Sequence, residues 1–459
     1  MTAVIEASSV EIRDTGRPTF FGHPRGLAYI VFAEGWERFS FHGMQALLIL
    51  YMTGYLLNPG IIENVSGFAQ FRVLLESVFG PLSTQALASQ IFGLYIGLVY
   101  FSPMIGGSLG DRLFGRTRSV IAGSVLMAFG HFLMAIEAAF LYALLLLVLG
   151  SGLMKGNLAA QVGALYSKND PQRDTAFSLY CLAINAGAFL APLVCGTLGE
   201  LYGWHYGFGA AGIGMLLATA IYIVGREHLP ADEIIKQAAD RPTLQPGEGK
   251  VVLSLAGIIA ITSLYWAAQS QVWNVYPLWL RDRVDRALGA DLTIPVTWFQ
   301  AIDTAAVLLI GPALIWLWQR QARRGTEPSD LSKIAIGCTS FAVGCLLLSA
   351  SELVAGNGQV GLGLPMIFHA LGAIGYLYVW PITFALVSKA APAAVNAMML
   401  GACYLAIFIG GVFSGWLGRF YETLPPAKFW LLHAGVAAVG LVAMLLLRKP
   451  LTRRLEPAT

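Results

Sequence analysis

Apolar residues run along this chain in blocks of roughly 20 to 25, each closed by a short polar stretch. A helix rising 1.5 Å per residue crosses about 30 Å of hydrocarbon in about 20 residues, so each block predicts a membrane-spanning helix. The blocks cover 27–57, 86–110, 117–140, 142–166, 175–200 and 206–225, then 252–280, 293–318, 334–353, 362–388, 395–418 and 427–447. The pattern therefore predicts an all-α membrane protein with twelve transmembrane helices. The polar stretch 226–250, with Pro230, Pro242 and Pro246, separates a bundle of six helices (27–225) from a second bundle of six (251–447). It is too short to hold two more spans. Residues 1–26 and 448–459 read as polar tails.

Composition excludes the alternatives. Charged residues make up 12% of the 459, hydrophobic residues 56%, and the mean hydropathy is +0.66. A soluble domain carries about a quarter charged residues, so no water-exposed surface can be built from this chain. Most of the 29 Lys and Arg fall in the tails and in loops on the N-terminal side of the bilayer, which places both termini in the cytoplasm by the positive-inside rule. The first 26 residues lack the apolar core of a cleavable signal and read as a cytoplasmic tail. This topology accounts for the net charge of +3 without a nucleic-acid partner. Cys181, Cys195, Cys338, Cys345 and Cys403 lie in apolar blocks without the spacing of a metal site or a disulfide framework. With no nucleophile elbow, phosphate loop or dinucleotide fingerprint either, neither a cofactor, a metal nor enzymatic catalysis is expected.

The informative positions are ionisable residues deep in the spans. A charge at the bilayer centre costs at least about 2.5–3.5 kcal/mol, so it persists only where it faces a cavity, pairs or titrates. Those positions are Glu34, Glu37, Arg38, Lys155 and Asp303, with His42, His131 and His369 as uncharged companions, each read as a hydrogen-bonded helix histidine before a proton carrier. Glu34, Glu37, Arg38, Phe41 and Gln45 stand at offsets that share one helical face, so they are expected to point into one cavity. Glu34 and Arg38 form an i,i+4 pair in the favourable order. Two carboxylates against one guanidinium leave a negative charge over, which Lys155, mid-span among small residues, can answer from another helix. Asp303 has no basic partner in its own span. It must find one on another helix, carry a proton, or receive a cationic ligand.

Phe20-Phe21-Gly22-His23-Pro24-Arg25-Gly26-Leu27 leads into Glu34-Gly35-Trp36-Glu37-Arg38-Phe39-Ser40. This resembles the ExxER signature on the first helix of the proton-dependent oligopeptide transporters of the major facilitator superfamily, in their bacterial form. Residues Tyr100 to Gly115, with Pro103, Gly106-Gly107 and Asp111-Arg112, resemble that family's cytoplasmic loop motif. Lys155 stands where it keeps a lysine on the fourth helix, and Phe177 to Gly187 is similar to its fifth-helix motif, with Asn185 at the asparagine position. The resemblance implies a major facilitator fold, two six-helix bundles around a site that opens alternately to either side. It implies inward movement of di- and tripeptides with protons, driven by the proton gradient without a cofactor, by a monomer in the lipid bilayer of a bacterial cytoplasmic membrane. Arg38 and Lys155 would receive the peptide carboxylate, Asn185 would help hold the amine, Tyr100 would touch the ligand, and Glu34 and Glu37 would take part in proton coupling.

The departures fall mainly on the second bundle. Phe41 and His42 replace two tyrosines, and Gln45 stands where some members carry a basic residue. No acid occurs from Val251 to Leu280, and Tyr376 occupies the place of a glutamate five residues before Pro381. Cys403 stands near a tryptophan position, and Asp303 takes the place of an asparagine. Together these changes suggest that the carboxylate meeting a peptide's ammonium has moved to Asp303, with Phe41, Gln45 and Tyr376 completing the pocket. His42 is a candidate added titrating group. A facilitator of a non-peptide solute and a sensor that binds peptides without moving them are the competing readings.

Overall fold

In the computed structural model, the described residues are 20–167, 170–232, 234, 243–289 and 292–455. The first 19 residues of the N-terminal tail, residues 233 and 235–242 of the polar linker, and the last four of the C-terminal tail lie outside them. The chain is almost wholly helical: α1 Arg25–Tyr51, α2 Phe68–Phe79, α3 Thr84–Leu109, α4 Arg116–Leu133, α5 Phe140–Ala164, α6 Gln172–Ala191, α7 Thr197–Leu201, α8 Trp204–Gly225, α9 Glu248–Gln269, α10 Tyr276–Arg283, α11 Trp298–Arg323, α12 Asp330–Ala355, α13 Gly363–Ala390, α14 Asn396–Gly418 and α15 Pro426–Leu455. A π-turn at Pro192–Gly196 joins α6 to α7, and a short 3₁₀ turn at Ser270–Val272 follows α9 ahead of α10. Among the described residues the chain thus makes twelve long columns near the predicted blocks, with α4 ending at Leu133 rather than 140 and α15 running on to Leu455 rather than 447.

Ten of these columns are long and apolar enough to cross a membrane on length and composition alone. The other two are α1, diluted by Glu34, Glu37, Arg38, His42 and Gln45, and α4, an 18-residue helix with Arg116 and Arg118 in its first turn. The hydrophobic blocks did not reveal α2, which lies between the first two columns. Its Phe68, Phe71, Leu75 and Phe79 recur at helical spacing, and Phe68 and Leu75 are buried.

Columns α1, α3, α4, α5, α6 and α8 pack among themselves, as do α9 and α11 to α15. The two sets meet where α3 lies along α14 and α6 meets α11. Glycine sets the closest approaches. A Cβ on Gly187 would come within 2.2 Å of the Gly35 carbonyl oxygen, and one on Gly106 within 2.1 Å of that of Gly152. The first crossing presses α6 onto the charged turn of α1, and the second presses α3 onto α5 one turn before Lys155.

Among the described residues, the side-chain hydrogen bonds joining the two sets gather toward the end opposite Arg25 and Leu455. Glu200 accepts from the backbone of Val296 (2.9 Å) and Thr297 (2.8 Å) and from the Thr297 hydroxyl (2.7 Å). Trp298 donates to Thr197, Arg419 donates to the carbonyls of Phe79 and Pro81, Asn274 donates to Ser89, and Ser83 meets Glu422. Ser89 and Gln90 also donate to the backbone of Gly415 and Val412. That far end is latched. The end near the termini carries no such bond among the described residues.

Candidate functional site

Between the two sets lies a cavity of about 300 Å³. From α1 it takes Arg38, His42 and Gln45; from α3, Tyr100; from α6, Asn185; from α11, Asp303; and from α13, Tyr376. The expected single face of α1 is divided. At about 100° per residue, Arg38, His42 and Gln45 occupy the edge of the stripe that meets the cavity, while Glu34, Glu37 and Phe41 fall on the other edge. Those three are buried, and they do not line the cavity. Neither does Lys155, which stands behind Phe41 and Tyr100 with its ammonium 3.7 Å from the Phe41 ring centre.

The charged cluster is compact. Arg38 Nε donates to Glu34 Oε1 at 2.6 Å and lies 3.3 Å from Glu37 Oε2. Lys155 Nζ is 3.6 Å from Glu37 Oε1. Tyr180 of α6 donates its hydroxyl to the other oxygen of Glu34 at 2.7 Å. The two acids are therefore unequal. Both Glu34 oxygens are hydrogen-bonded, whereas both Glu37 oxygens and the Lys155 ammonium are buried with ion-pair contacts but no hydrogen bond. Arg38, 14% exposed, is the cation that connects this cluster to the cavity.

The second set contributes differently. Asp303 finds its partner on another helix: His369 of α13 sets Nδ1 3.2 Å from Asp303 Oδ1, and its Nε2 is 3.2 Å from the Tyr276 hydroxyl. An aromatic wall runs beside them, with Trp266 6.3 Å from Tyr376 and 5.7 Å from Trp380, and Trp380 5.3 Å from Tyr404 between ring centres. Trp273 faces His42 at 5.3 Å, and His42 Nδ1 and Gln45 Oε1 are buried without a hydrogen-bond partner. Asn185 spends its amide N–H on the Cys181 carbonyl at 2.8 Å, leaving its oxygen for the cavity. His131 lies buried in α4 away from this cavity. Sequence reasoning passed over Tyr180, Tyr276 and the wall tryptophans. Tyrosines in apolar spans were the available signal, but nothing local says which polar atom they meet.

The chain has known relatives. The POT family profile matches residues 117–243 and 232–361, more than half of the chain. A peptide transporter of Yersinia enterocolitica is 29% identical, over 88% of this chain and 89% of its own length. A di-/tripeptide transporter of Lactococcus lactis is 26% identical, over 95% and 97%. The crystal structure of a peptide transporter POT in complex with sulfate superposes with a TM-score of 0.83 at 26% identity, covering 95% of this chain and 97% of that one. The all-α architecture is thus the major facilitator fold, and this multi-pass membrane chain belongs to the POT family, the proton-dependent oligopeptide transporters.

Proposed function

We propose that this protein takes up di- and tripeptides across a bacterial cytoplasmic membrane together with protons, by alternating access, as a monomer whose termini are cytoplasmic. Its work is transport rather than catalysis, and it needs no cofactor. The observation that carries the reading is the Glu34–Arg38–Glu37–Lys155 cluster behind a cavity whose opposite wall holds Asp303. Such a cavity offers a cation to a carboxylate and an anion to an ammonium, the two ends of a short zwitterion. Relatives that are named as peptide transporters support the choice of substrate.

Coupling follows from the inequality of the two acids. Arg38 is shared between Glu34, Glu37 and the cavity. A peptide carboxylate that engages Arg38 draws the guanidinium away from Glu37, and Lys155 at 3.6 Å without a hydrogen bond holds it only loosely. Glu37 then binds a proton on a carboxylate oxygen, because a buried anion with weakened support is stabilised by protonation. When the site opens toward the cytoplasm and the peptide leaves, Arg38 returns and the proton is released. His42 is a third titrating candidate on the cavity wall. One proton moving down roughly 150 mV supplies enough free energy for a few-hundred-fold gradient. The latched far end corresponds to a state closed to the outside.

The test is uptake of labelled di- and tripeptides into proteoliposomes with an imposed proton gradient. Accumulation that collapses when the gradient is dissipated is expected. Binding without counterflow would instead identify a sensor, and accumulation of a non-peptide solute alone would identify a different carrier.

A further inference from the structure

The coupling scheme leaves His369 unused, although it is one of the most enclosed polar side chains beside the cavity. It is 1% exposed, and Asp303, 16% exposed, is its contact with the cavity. On its other side Tyr276 is fully buried against Trp279, Phe368 and Trp430. Cavity, carboxylate, imidazole and phenol thus form a line that ends in packed aromatic rings.

This line of hydrogen bonds accommodates either protonation state of the ring. With the imidazole neutral, Nδ1–H donates to Asp303 and Nε2 accepts the Tyr276 hydroxyl proton. With a second proton on the ring, both nitrogens donate, and the phenol oxygen turns from donor to acceptor. Neither state leaves a ring nitrogen unpartnered, and the cost of the second falls on the Tyr276 hydroxyl hydrogen, which gives up its acceptor. What changes is charge: the Asp303–His369 pair carries −1 in the first state and 0 in the second. The titratable and charged groups around the pair are Tyr276 from α10, Tyr265 from α9, with Cys338 and Cys345 of α12 beside that tyrosine, and Tyr376 from α13 itself. Across the cavity stand Arg38 and His42 from α1 and Tyr404 from α14, and α15 sets His433 behind Trp430. Of these, Arg38 alone is permanently charged.

We propose that His369 is a positioning residue that sets the charge of the cavity's amine-binding point, so that protonation of the imidazole neutralises Asp303 and weakens its hold on a substrate ammonium. This rests on the peptide reading above and adds a sign to it. Protons would strengthen binding at the Glu37 end and weaken it at the Asp303 end, so acid has opposed effects on the two halves of one site. The affinity for a zwitterionic peptide then worsens once the imidazole is protonated, even while a proton gradient still drives uptake.

The experiment measures the KM of a dialanine-type dipeptide in proteoliposomes across pH 5 to 8, alongside a des-amino analogue that keeps the carboxylate and lacks the ammonium. For the wild type, the dipeptide KM is expected to rise on the order of tenfold on the acid side, the scale of one charge-assisted hydrogen bond, while the des-amino KM does not. In His369→Gln, whose amide can donate to Asp303 but cannot titrate, the ratio of dipeptide KM at pH 5.5 to that at pH 7.5 is expected to fall toward one. An acid rise shared equally by the des-amino analogue, or kept in His369→Gln, overturns the proposal while leaving peptide transport intact. The wild-type comparison decides the matter even if the variant does not fold. Failure of every peptide to accumulate overturns both readings at once.

Discussion

The Lys155 ammonium stands 3.6 Å from Glu37 Oε1 over the face of Phe41, and neither charged group has a hydrogen bond, while Glu34, one turn away, has both oxygens bonded. In the proposed coupling, the two acids that look alike in the ExxER motif therefore take separate tasks: Glu34 holds Arg38 in place and Glu37 exchanges the proton.

Glu37→Gln is therefore expected to lower gradient-driven peptide accumulation by more than tenfold while counterflow exchange persists, because binding at Arg38 survives and the proton site does not. Proteoliposome uptake and counterflow, measured on the same preparation, check this. Equal loss of both activities would place Glu37 in binding instead.

Lys155→Ala leaves the buried Glu37 with only the shared Arg38, and breaking a buried pair by removing one partner costs about 3–5 kcal/mol. A lower melting temperature in detergent is expected. The double variant Lys155→Ala/Glu37→Gln should recover much of that loss, since the orphaned charge is gone. Additive losses in the double variant would mean that the two residues are not coupled.

Asp303→Asn removes the anion facing the cavity and leaves His369 a neutral partner of similar shape. The KM for a zwitterionic dipeptide should rise about tenfold or more, with little change for the des-amino analogue, a difference of one charge-assisted contact. Undiminished uptake of the dipeptide would remove Asp303 from the amine role.

At the latched end, Glu200→Ala deletes an acceptor used by three donors at the start of α11. Spin labels at the exposed Tyr202 and Leu292 should then report a new, longer distance component as the far end opens. Since about 1.4 kcal/mol shifts a two-state ratio tenfold, even one charged hydrogen bond makes this population visible.

Gly187→Ala tests the crossing that brings α6 onto the charged turn. Its Cβ would stand 2.2 Å from the Gly35 carbonyl oxygen, so the helices must separate, at about 1–3 kcal/mol. A clear drop in melting temperature is expected, together with weakened uptake, because Tyr180 withdraws from Glu34. Gly209→Ala, with nothing within 4 Å of the new methyl, is the control.

By itself, the sequence determined the all-helical membrane architecture, the approximate course of its columns, the POT resemblance in the first half, and the short-range pair of Glu34 and Arg38. These are local properties: span length, charge along one chain segment, and neighbours four residues apart on one helix. Only the tertiary structure decided which edge of α1 meets the cavity, because a stripe of polar positions does not say where neighbouring helices close over it. It also decided that Tyr180, 146 residues from Glu34, bonds one acid and spares the other, and that Asp303 meets His369 rather than His42 or His131. Partners so far apart in sequence are chosen by helix crossings. Those crossings are set by close backbone approaches such as Gly35 on Gly187, which periodicity along a single chain does not encode.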